Sequence, residues 1–250
     1  MLRRIFVLLC SVLLLFSCVS CKNDAQQANA PVTAYPAYTL ILDAGHGGED
    51  GGAVSLSGVP ESIINLSVAK RTDLLLGLLG IPCVMLRQED VSLHDANANT
   101  LREKKVSDLK NRVAAIESEA NPRLISIHQN TFSDRRYHGA QVFFAPTAGS
   151  QALAETMQEA LRTTLDPDNQ RVCKPIPDTI YLMNHISCPA ILVECGFLSN
   201  PNEEQLLLSP AYQTKLALAL TGGWLLHQTN TQERVLNENK EPVLLHQLRK

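Results

Sequence analysis

The stretch LILDAGHGGEDGGA, Leu40 to Ala53, decides how the rest of the chain is read. An apolar run ends abruptly in an Asp, a glycine cluster and one imidazole, His46. A short apolar run with so sharp an end reads as a buried strand, Tyr38 to Leu42. A glycine-rich loop after such a strand first raises the question of a phosphate cradle. Neither G-x-x-x-x-G-K-[ST] nor G-x-G-x-x-G is present, so a nucleotide site is set aside.

Working outward, helical and strand patterns alternate. ESIINLSVAKRTDLLLGLL, Glu61 to Leu79, has apolar residues at helical spacing, with Ile64, Val68, Leu74, Leu75 and Leu78 as its expected core face. Pro60 precedes it and Gly80 follows, a sound start and stop. Ile81 to Arg87 reads as a strand and residues 88–104 as a long polar loop. Val106 to Ala120 reads as a second helix, RLISIH (Arg123 to His128) and GAQVFFA (Gly139 to Ala145) as strands, and Gln151 to Leu165 as a third helix. A strongly apolar strand starts after Pro189, and Ala211 to Leu226 is the last helix. Residues 228–250 are a polar tail, expected as a small appended helix or without fixed structure. The alternation predicts an α/β fold: a twisted mixed, mainly parallel sheet flanked by helices on both faces.

Composition agrees with one globular domain. The chain has 250 residues, 45% apolar and 19% charged, with a formal net charge of −3. The absence of a basic excess argues against nucleic acid as a partner. The first residues carry Arg3 and Arg4, an apolar run from Ile5 to Phe16 and then small residues and cysteines, the layout of an export signal. That run is shorter than the roughly 20 residues a membrane span needs. LFSC, ending at Cys18, resembles a lipobox, with Cys21 as a second lipidation candidate. An ordinary cleaved signal and an uncleaved anchor are the alternatives. Residues 1–21 are thus read as signal peptide, lipoprotein leader or membrane anchor, 22–36 as linker and 37–227 as the working domain. The expectation is an exported protein anchored on the outer face of the cytoplasmic membrane. Cys83, Cys173, Cys188 and Cys195 have no C-x-x-C spacing, which argues against a structural zinc knuckle. Spacing leaves a single Cys173–Cys188 bridge open.

Ligands of open α/β sheets bind beyond the carboxyl ends of the strands. His46 follows the first strand, His128 ends RLISIH, Glu194 ends AILVE, and Glu61 opens the first helix. Two imidazoles and a carboxylate form a catalytic zinc donor set, leaving the remaining carboxylate as general base. Each residue also has an ordinary reading. A strand-end His is commonly a hydrogen-bonded structural residue, and Glu61 suits the positive end of a helix dipole. Glu194 is harder to dismiss, because burying a carboxylate is costly unless it is paired or used. Cys195 is a thiol-nucleophile alternative, with a buried structural thiol as its simpler reading. His94, His138 and His185 sit in polar loops and read as solvated.

LDAGHGGEDGGA, PESIINLSVAKR, SDLKNRVAAIE, LISIHQN, GAQVFF and ILVECGFLSNPNEEQLL occur in one order. Together they resemble the zinc-dependent N-acetylmuramoyl-L-alanine amidases of the Amidase_3 family, from about Tyr38 to His227. The resemblance implies Zn²⁺ on His46, Glu61 and His128, Glu194 as the catalytic carboxylate, and Asn130 and Arg112 near the metal. It implies peptidoglycan as substrate, cleaved between the lactyl group of N-acetylmuramic acid and L-alanine. KKVSDLKNRV and TIYLMNHISCPAILVECGFLSNPNEEQLL are most similar to the sporulation and germination (CwlD) type, which acts on spore-cortex peptidoglycan ahead of muramic-lactam formation. Cell-wall remodelling is the broader role. The family also implies gating by an autoinhibitory helix, an activator or a lipoprotein partner, and residues 88–105 are the segment placed for it. A non-catalytic, membrane-tethered peptidoglycan-binding protein on the same fold is the alternative.

Overall fold

The central strands turn polar towards their carboxyl ends on one face, and that asymmetry organises the molecule. The computed structural model describes residues 38–247, with side chains as far as residue 233. The leader, lipidation and linker expectations for residues 1–36 lie outside the described residues. Six strands, β1 (Thr39–Ala44), β2 (Cys83–Met85), β3 (Pro122–Asn130), β4 (Gln141–Phe144), β5 (Lys174–Pro175) and β6 (Ala190–Phe197), form one sheet. Their order is β2-β1-β3-β6-β4-β5. β2, β1, β3 and β6 run parallel, and β4 lies antiparallel to β6. The helices are α1 (Glu61–Leu78), α2 (Leu101–Glu117), α3 (Ser150–Leu165), α4 (Tyr181–Asn184), α5 (Pro201–Leu207) and α6 (Pro210–Gln247).

Successive strand residues face opposite sides. Leu40, Leu42 and Ala44 of β1, Ile125 and Ile127 of β3, and Ile191, Val193 and Cys195 of β6 form one core with residues of α1, α3 and α6. Ile41, Leu124, Ala190 and Leu192 point the other way, into a second core with Ile116 of α2 and Leu182 and Met183 of α4. Helices therefore cover both faces, as the alternating pattern predicts. On the second face each central strand turns polar towards its carboxyl end: Ile41 gives way to Asp43, Leu124 to Ser126 and His128, and Leu192 to Glu194.

Several boundaries differ from the sequence reading. α2 starts at Leu101, not Val106, because Thr100 and Glu103 form a reciprocal capping box. Its buried stripe is Asp108, Arg112 and Ile116, so charged residues stand where an apolar repeat would announce a helix. Along α1, Ile64 and Val68 are buried as expected, but Leu74 and Leu78 are exposed, and Glu61, Ser62, Asn65, Ala69, Thr72 and Leu76 complete the buried face. The second strand shrinks to Cys83–Met85. The last helix runs on to Gln247, so the tail after residue 227 continues α6 rather than forming a separate element. No glycine or proline interrupts the sequence between Gly223 and Pro242. The four described cysteines are all free, which removes the Cys173–Cys188 bridge. Among the described residues no helix is long and apolar enough to cross a membrane.

Candidate metal centre

β1 and β3 are paired so that Ala44 lies beside Ile127, and β3 and β6 so that His128 lies beside Glu194. This register delivers the loop after β1, the end of β3 and the end of β6 to one edge. The loop folds back to start α1, and Glu61 at its first position points under His46. Glycines permit the close approach. A Cβ on Gly45 would come within 2.2 Å of the His128 ring, and one on Gly52 within 2.6 Å of both Glu61 Oε2 and the His46 ring. His46 itself adopts φ 62, a left-handed conformation rare for a residue with a side chain. Such strain is retained where a site requires it.

One ligand atom each from His46, Glu61 and His128 lies within 4.8 Å of the others, and this is the metal-competent cluster among the described residues. His46 Nε2 is 3.4 Å from Glu61 Oε2 and His128 Nδ1 is 3.0 Å from Glu61 Oε1. The Glu61 carboxylate is held from its far side. The backbone N–H of Gln129 donates to Oε1 at 3.0 Å, Asn65 Nδ2 to Oε1 at 3.1 Å, and the N–H of Ala53 to Oε2 at 2.9 Å. Burial would raise its pKa, but the two imidazoles and the Gln129 N–H outweigh it and hold it at about 2. The two nitrogens and the carboxylate suit a borderline ion such as zinc. Glu194, beside His128, supplies a second observation: its Oε2 is buried with no hydrogen-bond partner in the protein. Burial pushes its carboxyl up to about 7, with Glu61 adding to the rise and His128 opposing it. A buried acceptor without a donor is costly unless something else occupies its lone pairs.

These four residues open into a cleft of about 370 Å³ between α2 and α4. Beneath it, Arg112 is fully buried and ion-paired to Asp43 and Asp108, and its Nη2 donates to the carbonyl of His46 at 2.7 Å. Ser126 donates to Asp43 Oδ2 at 2.6 Å. On the rim, Asp50 Oδ2 stands 3.1 Å from His46 Nδ1 and 3.3 Å from Lys105 Nζ.

The model of the N-acetylmuramoyl-L-alanine amidase family Amidase_3 matches residues 40–224. The chain belongs to this family. It is 37% identical over 191 residues to a germination-specific N-acetylmuramoyl-L-alanine amidase of Bacillus subtilis, covering 76% of this chain and 79% of that protein. Among solved structures, the CwlD amidase from Clostridioides difficile, determined in complex with the GerS lipoprotein, matches with a TM-score of 0.73 and 39% identity, over 76% of this chain and 98% of that one. An N-acetylmuramoyl-L-alanine amidase from Clostridium difficile 630 matches with a TM-score of 0.64 and 28% identity, over 75% and 95%.

In this Amidase_3 chain the structure brings His46, Glu61, His128 and Glu194 together. Arg112 joins them from below, through the carbonyl of His46 and the Asp43 pair. Asn130 does not line the cleft: the ladder shifts register between His128 and Asn130, and the Asn130 carbonyl accepts from the N–H of Leu198. Cys195 points into the opposite core, where burial drives its thiol far above the usual range and removes it as a nucleophile. Sequence reasoning missed Asp43, Asp50, Asn65 and Asp108. Asp43 carried a signal, since it is a charge ending an apolar strand.

Proposed function

We propose that the protein is a zinc-dependent N-acetylmuramoyl-L-alanine amidase acting on peptidoglycan, cleaving the amide between the lactyl group of N-acetylmuramic acid and L-alanine. The observation that carries this reading is the two-His, one-Glu donor set beside a carboxylate, Glu194, whose Oε2 is buried and unpartnered. His46, Glu61 and His128 would hold the ion, which supplies Lewis-acid chemistry when bound: polarisation of the amide carbonyl and acidification of the attacking water. Glu194 takes the proton of that water at Oε2 as oxygen bonds to the carbonyl carbon. It returns the proton to the departing nitrogen of L-alanine as the C–N bond breaks. Arg112 and Asp43 hold the His46 backbone and the end of β1 in place during both transfers. Leu109, Ile180 and Leu182 form the apolar side of the cleft and limit water around the reacting groups.

Likeness to the germination-specific amidase and to CwlD supports a role in spore-cortex maturation. There, loss of the stem peptide frees the lactyl carboxyl for lactam closure by another enzyme. The GerS complex of the CwlD relative supports a lipoprotein partner for this chain. The leader supports export and anchoring at the membrane's outer face through Cys18, Cys21 or the apolar run. A merely binding protein on this fold would have no use for an unpaired buried Glu194. The test is peptide release from glycan strands, following the new amino-terminal L-alanine. Release should stop with chelator and return with zinc. Zinc-loaded protein that releases no peptide, with its lipoprotein partner present, would overturn the reading.

A further inference from the structure

We infer that Asp50 is a positioning residue for the metal ligand His46, fixing which ring nitrogen carries the proton and which is offered to the ion. The inference rests on the zinc reading above. An ionised carboxylate can only accept, and a ring that offers one nitrogen to a cation must carry its proton on the other. Asp50 Oδ2 faces Nδ1 at 3.1 Å, which leaves the lone pair on Nε2. That lone pair points at Glu61 Oε2, 3.4 Å away. Two acceptors then confront each other at the centre of the cluster, an arrangement that a cation between them would relieve.

The two imidazoles differ in how they are held. His128 belongs to β3, in the middle of the sheet, and its ring packs over Gly45. His46 sits outside the sheet, in a glycine loop and in a left-handed conformation. Packing alone fixes its ring less firmly, so an external hydrogen bond has more to do. Asp50 is itself anchored. Its Oδ1 accepts from the N–H of Gly52 at 3.3 Å, its carbonyl accepts from the N–H of Gly47 at 2.8 Å, and Lys105 reaches Oδ2 from α2 at 3.3 Å. The loop and α2 thus converge on one carboxylate whose free edge meets His46. Partners of this kind behind metal-bound histidines are worth about 10–100-fold in metal affinity.

The experiment titrates zinc against a chelator of known affinity in the unaltered full chain, in Asp50→Ala and in Asp50→Asn. Melting temperatures of the metal-free forms are measured alongside. The side-chain amide in Asp50→Asn has one oxygen to share between Gly52 and His46, so this variant keeps the turn and loses the fixed tautomer. Both variants are expected to bind zinc about 10–100-fold more weakly, and Asp50→Asn to melt, metal-free, like the unaltered chain. Zinc affinity equal to the unaltered chain in both variants would overturn the assignment. So would a loss confined to Asp50→Ala and matched by a lower metal-free melting temperature, which would make Asp50 a turn residue only. An unaltered chain that binds no zinc would sink the metal reading as well, and this separates the two failures.

Discussion

Glu194 and Gly52 make opposite demands on the site and give opposite predictions. Glu194 sits beside the donor set, so Glu194→Gln should leave bound zinc unchanged while lowering turnover by about 10²–10⁴-fold, the usual worth of a positioned base. Metal analysis together with peptide-release rates checks both halves. Gly52 has no side chain to act in the reaction, yet a methyl there would strike Glu61 and His46 and would have to adopt φ 71. Gly52→Ala should therefore lose zinc binding with secondary structure retained, read by metal content and far-ultraviolet circular dichroism. His46, Glu61, His128 and Glu194 were legible because the sequence places chemically apt residues at strand ends and at a helix start. The partners behind them were not. Asp50 looks like part of a polar loop, and Asn65 like an ordinary helix residue. Asp108 looks like a solvated charge until α2 turns it inward.

At the scale of elements, α2 is tied to β1 through the pair of Arg112 with Asp43, braced by Asp108 on α2 itself, rather than through an apolar stripe alone. Arg112→Met leaves Asp43 buried without its partner and should cost about 3–5 kcal/mol, measured by urea unfolding. Burial would raise the pKa of Asp43, but Arg112 and Ser126 outweigh it and hold it below the usual carboxylate range. The native state therefore binds the Asp43 proton less readily than the unfolded chain does. That stability is complete above about pH 4 and is lost as pH falls through the lower native value. Asp43→Asn should accordingly flatten the acid limb of the stability curve. α2 begins five residues before Val106 because its first turn, Leu101 to Lys105, buries no apolar residue for periodicity to find, and only the cap marks its start. Two such signals were present but unused: the Thr100–Glu103 box, and Asn200 capping a helix with Pro201 in its first turn.

Over the whole molecule, the loop after β1, β3, β6 and α1 meet at one place, and metal binding should tighten all of them at once. An ion bound to the native state alone stabilises it by mass action, by about 2.7 kcal/mol at one hundred times its dissociation constant. Stripping zinc with a chelator should therefore lower the melting temperature of the full chain, and adding zinc should restore it in a concentration-dependent way. A melting temperature indifferent to zinc would mean that the cluster is not a metal site in solution.

The sequence by itself determined the α/β architecture, the parallel central strands and the four polar groups that the fold gathers at the cleft. Apolar runs, their sharp ends and the glycines between them are local properties of the chain. The register that sets His128 beside Glu194 was decided only in the tertiary structure. So were the ion pairs that bury Arg112, the exposure of Leu74 and Leu78, and the contact of Asp50 with His46. Each depends on residues far apart in the chain meeting across a sheet or between helices, and no local pattern records which of them will meet.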